Sequence, residues 1–165
     1  MRLTRSDIRK MEEEIEYRKL TLRPKLLEEV KETRAHGDLS ENFEYHAAKR
    51  AKNQNESRIR YLDRVVRTAE IIDDSSRDDE VGMNNRVKVL FEDDNEEEEY
   101  KIVTTIRGDS LHNLISIESP LGKALMGHKV GDRVEVLMEN GSSYYVKVME
   151  ITNSNDDSGD RIRSY

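Results

Sequence analysis

The chain has 165 residues, 38% of them charged and 35% hydrophobic, with two Phe, no Trp and a net charge of −7. Such lean apolar content excludes one large core and fits a solvated helical element beside a small core, and the acidic balance argues against general affinity for duplex DNA. The absence of Cys excludes disulfides and thiolate metal sites. With no segment of membrane-spanning length and no apolar leader, the expected setting is cytoplasmic.

From Thr4 to His36 apolar residues recur at Ile8, Met11, Ile15, Leu22, Leu26 and Val30, the spacing of one helical stripe. Thr4-Arg5-Ser6-Asp7 offers N-cap residues. Arg18 stands where the stripe calls for an apolar group, and Pro24 is expected to kink the helix or shift its packing. Gly37 can close this helix in the left-handed conformation. A second stripe then runs through Ala48, Ala51, Asn55, Ile59, Leu62, Val66 and Ala69, a heptad seam in which Asn55 is a register-setting polar residue. Two such helices joined by a short turn run antiparallel. At about 33 residues per arm the hairpin would measure roughly 50 Å.

Between the arms, Asp38-Leu39-Ser40-Glu41 has the form of a capping box, with Asp38 at N-cap and Glu41 at N3. Two carboxylates three residues apart also share a face and suit a hard cation such as Mg²⁺. That ion commonly takes one or two protein carboxylates and completes its shell from water and phosphate. Capping and metal binding both remain open at this point, and a metal site built on this pair would need ligands from a partner. His36 and His46 flank the turn, but their spacing matches no common zinc pattern.

Residues 49–67 form a basic stripe that includes Lys49, Arg50, Lys52 and Arg58. The first 76 residues hold 17 Lys and Arg against 16 Asp and Glu, and the remainder 11 against 19, so the basic character is local and suits a shaped, charged partner. Asp73 to Asp79 is polar and aperiodic and reads as a linker. Beyond it the period changes to two, giving strands around Val87–Phe91, Tyr100–Ile106, Leu114–Ile117, Arg133–Met138 and Tyr144–Ile151. Glu92 to Glu99 reads as a solvated hairpin loop, and Ser119-Pro120 opens a short helix. Asn140-Gly141 marks the last hairpin turn. Residues from Asn153 onward are expected to fray. The expected fold is α+β: an antiparallel two-helix coiled coil over 1–76 with an acidic tip at 36–45, a small domain over 77–152 and a polar tail over 153–165.

The run Ala35-His36-Gly37-Asp38-Leu39-Ser40-Glu41-Asn42-Phe43-Glu44-Tyr45-His46-Ala47-Ala48-Lys49 closely resembles the tip of the bacterial transcript-cleavage factors GreA and GreB. In the second half, Ile115-Ser116-Ile117-Glu118-Ser119-Pro120-Leu121-Gly122-Lys123-Ala124-Leu125, followed by Val130-Gly131-Asp132, resembles the same family. The resemblance covers about residues 1–152 and leans toward GreA. It implies an FKBP-like second domain and a monomeric protein that binds RNA polymerase and passes its coiled coil down the secondary channel. Asp38 and Glu41 would then help hold Mg²⁺ jointly with the polymerase, which cuts its own backtracked RNA, and Tyr45 would support the tip. Ser116, Glu118 and Pro120 would meet the coiled-coil rim of the β′ subunit. Lys49, Arg50, Lys52 and Arg58 would face the displaced 3′ end of the nascent RNA. Phe43, residues 107–113, the Glu96–Glu99 run and the tail depart from the family pattern. A channel-binding inhibitor of the same architecture is the alternative. A prolyl isomerase is a third class, with a poor aromatic lining in Phe91, Tyr100, Tyr144 and Tyr145.

Overall fold

The structure, a computed structural model, describes residues 1–37, 41–154 and 156–164. It resolves into two compact units: Ile8–Ala69, and a second formed by Met1–Asp7 together with the chain from Glu70 onward.

The helical unit is the expected antiparallel pair. Its first arm holds α1 (Arg5–Tyr17, whose first turn belongs to the other unit), a π-helical turn (Arg18–Leu22) and α2 (Arg23–Arg34); its second is α3 (Phe43–Thr68). The π turn answers Pro24. A proline there cannot donate an N–H and its ring crowds the carbonyl four residues back. The chain widens by one residue ahead of it, so that Arg23 N donates to Arg18 O. The seam buries Met11, Leu26, Ala48, Ile59 and Leu62, all members of the two stripes, and Val65 where the stripe named Val66. Its middle is polar. Arg18 donates to Asn55 Oδ1 at 3.0 Å and to Glu14 Oε1 at 2.8 Å, and Asn55 Nδ2 donates back to Arg18 O at 3.3 Å. Arg58 meets Glu14 through two hydrogen bonds of 3.0 and 3.1 Å. Arg23 makes a similar fork with Glu56, at 2.7 and 3.0 Å. Directional pairs of this kind set register more sharply than interchangeable apolar contacts do. The 26 residues of α3 span about 39 Å, shorter than the arm expected from the sequence because the helix begins at Phe43.

The second unit is α+β. A five-stranded sheet has the order β5-β4-β3-β7-β6, formed by β3 (Arg86–Phe91), β4 (Glu96–Val103), β5 (Leu114–Ser116), β6 (Arg133–Leu137) and β7 (Ser143–Thr152), with α4 (Pro120–Leu125) packed against it. Neighbours are antiparallel except β4 and β5. The core is Val87, Val89, Ile102, Val134, Val136, Val146 and Val148 from the strands, closed by Val81, Met83, Ile117 and Leu125. A separate two-residue pairing joins β1 (Arg2–Leu3) to β2 (Glu70–Ile71) in parallel, and Leu3 is fully buried.

Three expectations are corrected. The boundary at residue 76 moves, because the β1–β2 pairing brings 1–7 and 70–76 into the sheet unit; strands of two residues carry no readable period. Glu96–Glu99 are not loop but the start of β4, opposite Phe91–Lys88. All four are exposed, so the alternation that marks a half-buried strand is missing there. Described residues of the tail, expected to fray, are held by hydrogen bonds. Arg163 N donates to Ile106 O at 2.9 Å, and Lys101 Nζ bonds Asp156 O and Asp160 Oδ2, each at 2.8 Å.

Candidate functional site

The turn between the arms is built from the end of α2 and the start of α3. Ala35 and His36 donate back to carbonyls of the last turn, and Gly37 follows at φ 123°, a backbone conformation that costs glycine little. Asp38 lies outside the described residues, so its proposed place beside Glu41 is not defined here. Glu41 is exposed and precedes α3. The cap of α3 is Asn42, not Asp38: its Oδ1 accepts from Tyr45 N at 3.0 Å. Asn42 Nδ2 reaches across and donates to Thr33 O at 2.6 Å. One amide therefore satisfies an orphan donor of one helix and a terminal carbonyl of the other. Asn, with both a donor and an acceptor, can do this; the Asp-x-x-Glu pattern upstream draws attention away from it.

This arrangement leaves Glu41 without a capping task in α3. Among the described residues Glu41 makes no ion pair, whereas Glu44 faces His36 at 3.4 Å. No group of three metal-ligating side chains exists among the described residues. Tyr45 is half-buried and its ring meets His46 edge-on at 5.5 Å. Phe43 is 86% exposed at the first position of α3. Asn42→Ala should cost about 1 kcal/mol or more of hairpin stability. It should also deprotect the Tyr45 amide in hydrogen exchange, with Asn42→Asp keeping the cap but losing the bond to Thr33.

Of the basic residues, Lys49 and Arg50 are exposed and Lys52 is half-buried on α3. Arg58 is not an RNA-facing residue. It is 4% exposed and its Nε and Nη2 bond Glu14, with the charge also lying 5.5 Å from the centre of the Tyr61 ring. A usable signal was present: position 58 is three beyond Asn55 and four before Leu62, on the seam. Burial alone would raise the Glu14 pKa, but the hydrogen bonds from Arg58 and Arg18 outweigh it and hold the carboxyl below its ordinary value.

Ser116, Glu118 and Pro120 do come together at the end of β5. The Thr105 hydroxyl lies 2.7 Å from Ser116 Oγ and donates to Glu118 Oε2 at 2.8 Å, while Glu118 N donates to Ser116 Oγ at 3.0 Å. Ser119 caps α4 through Gly122 N and Pro120 occupies its first turn. Glu118 is thereby held out in solvent on a fixed backbone. Gly122 sits so close beneath that a Cβ there would meet Ser116 O at 2.0 Å. Gly122→Ala should cost about 1–3 kcal/mol and disorder this loop, read as a lowered melting temperature of the sheet unit. Phe91 packs its ring against Tyr100 and Tyr144 at 6.4 and 6.0 Å.

Two family models divide the chain between them. Residues 1–71 match "Transcription elongation factor, N-terminal" and residues 76–153 match "Transcription elongation factor, GreA/GreB, C-term". Transcription elongation factor GreA of Sinorhizobium medicae is 42% identical over 87% of this chain and 91% of its own length. The GreA of Rhizobium leguminosarum bv. viciae is 44% identical over 82% and 87%. The solved GreA factor homolog 1 of Thermus thermophilus aligns at 24% identity over 93% of this chain and 99% of that one, with a TM-score of 0.42. On the matched domains and the two GreA relatives, the chain belongs to the GreA/GreB family of transcription elongation factors.

Proposed function

We propose that the chain binds bacterial RNA polymerase, inserts its helical hairpin into the secondary channel and stimulates the polymerase's own cleavage of backtracked RNA. The observation that carries this reading is the tip: Glu41 stands exposed at the turn of a long hairpin, and the capping that such acids would otherwise serve in α3 is done by Asn42. An exposed carboxylate with no ion pair among the described residues is available to a metal held elsewhere. Asp38 and Glu41 would supply two oxygen ligands to a Mg²⁺ whose other ligands come from polymerase and RNA. The protein contributes their positions, and the ion supplies charge stabilisation and an activated water for phosphoryl chemistry. The chain has no cofactor of its own in this account and is not itself an enzyme.

Lys49, Arg50 and Lys52 would attract the phosphates of the displaced RNA 3′ end, and Ser116, Glu118 and Pro120 would dock on the β′ coiled-coil rim. Tyr45 would hold the first turn of α3 beneath the acids. The test is to add the purified protein to arrested elongation complexes. Shortening of the RNA from its 3′ end, followed by renewed elongation, is the expected result. Blocked nucleotide addition with full-length RNA would overturn it in favour of a channel-filling inhibitor.

A further inference from the structure

The sheet unit buries a group of charges that transcript cleavage does not use. Arg107 is 1% exposed and Lys101 6%. Arg107 Nε lies 2.7 Å from Asp7 Oδ1, and its Nη1 donates to Asn84 Oδ1 at 2.7 Å and to Asp160 Oδ2 at 2.8 Å. Lys101 Nζ donates to the same Asp160 oxygen and to the Asp156 carbonyl, both at 2.8 Å. Asp7 is occupied locally: its Oδ2 accepts from the Thr104 hydroxyl at 2.7 Å and from Thr4 N at 3.0 Å, and its own N–H bonds Thr4 Oγ1. Both buried cations thus meet the Asp160 carboxylate of the tail, and Arg107 meets Asp7 as well. Without Asp160 a buried positive charge is left over, which is strongly unfavourable.

Asp160 comes from beyond residue 153, where the family match ends. None of the described residues from 153 to 164 is buried as a residue, so apolar packing does not fix this segment. Polar contacts do: the two lysine bonds, the arginine bond, Arg163 N to Ile106 O, and Asn153 Nδ2 to Asp78 O at 3.0 Å. The socket also has donors to spare. Arg107 Nη2 and Asn84 Nδ2 are buried without an acceptor among the described residues. Lys101 takes a main-chain carbonyl as well as a carboxylate, so a peptide satisfies more of the site than a free anion does.

We propose that Lys101, Arg107 and Asn84 form a socket for an acidic peptide, filled in cis by Asp160, and that the C-terminal segment is a strap which an acidic segment of a partner displaces. The Asp160 carboxylate carries the strap's two contacts to buried cations, and its release exposes a cationic socket. The test uses the full-length protein and needs no polymerase, so its outcome is separate from that of the cleavage proposal. In Asp160→Ala, trypsin should cut after Arg161 and Arg163 at least about tenfold faster than in the parent, because cleavage follows the undocked population. Sodium formate should raise the melting temperature of this variant well above the effect of equimolar chloride, and should change the parent little. A synthetic peptide of residues 153–164, added to the parent, should speed the same two cuts. Should Asp160→Ala fail to fold, the isosteric Asp160→Asn and the peptide arm give the same readouts. Equal cleavage in variant and parent, or formate acting no differently from chloride, or a peptide without effect on the parent, would each overturn the proposal.

Discussion

Asp38→Asn/Glu41→Gln is expected to bind polymerase and melt as the parent does, while losing about 10²-fold or more of the stimulated cleavage rate. The size follows from the role: a metal poised at a developing negative charge is worth several kcal/mol, and each 1.36 kcal/mol is about tenfold in rate. Folding should be spared because both replacements are near-isosteric and the cap of α3 is Asn42. The measurement is RNA shortening in arrested complexes at saturating protein. A slope against Mg²⁺ concentration separates lost metal affinity from lost docking. If extra Mg²⁺ partly restores the variant, the carboxylates act through the ion; if the variant cleaves at the parent rate, they do not act at all.

Arg58→Ala should be the most damaging single change in the hairpin. Removing it takes hydrogen bonds of 3.0 and 3.1 Å from Glu14, and because Arg18 stays at 2.8 Å and Glu14 is 24% exposed the loss falls below the full cost of a broken buried pair, at about 2–3 kcal/mol. Glu14→Met combined with Arg58→Met removes both charges and should recover most of that loss, since an apolar pair of similar volume is often neutral. Urea denaturation followed by far-ultraviolet dichroism distinguishes the single from the double variant. The same pair sets a pH response. The folded Glu14 carboxyl titrates below its ordinary value of 4.5, so its stabilisation is fully present above that value and disappears as pH falls through the lower folded one. Glu56, held down chiefly by its hydrogen bond from Arg23, follows the same sign. Acid should therefore loosen the hairpin, and the double Met variant should show a shallower loss between neutral pH and the carboxylate range.

Much of this was legible in the sequence because periodicity reports burial. Ile8, Met11, Ile15 and Leu26 on one arm, with Ala48, Asn55, Ile59 and Leu62 on the other, announced a two-helix seam, and the alternation from Val87 onward announced a sheet. The turn between the arms announced itself through Gly37. What escaped were interactions that have no period. Asn42 caps one helix and ties it to the other through a single amide, while the acidic pattern three residues upstream competed for the same role. Arg58 was counted by its charge, although its position on the seam already said that it pointed inward. The pairing of Arg107 with Asp7 and Asp160 joins residues far apart in sequence, and two of its members sit in segments read as a helix cap and a loose tail. Glu96–Glu99 form a strand whose side chains all meet solvent, so hydrophobicity had nothing to report.

The most direct test of the central claim is to replace the active-site Mg²⁺ of a polymerase complex with Fe²⁺ and map where the bound protein's backbone is cut by locally generated hydroxyl radicals. Cleavage confined to residues 36–45, competed away by Mg²⁺ and sharply reduced by Asp38→Asn/Glu41→Gln, is the expected result. Cuts in the sheet unit alone, or no metal-dependent cuts in a complex shown to contain the protein, would contradict the account.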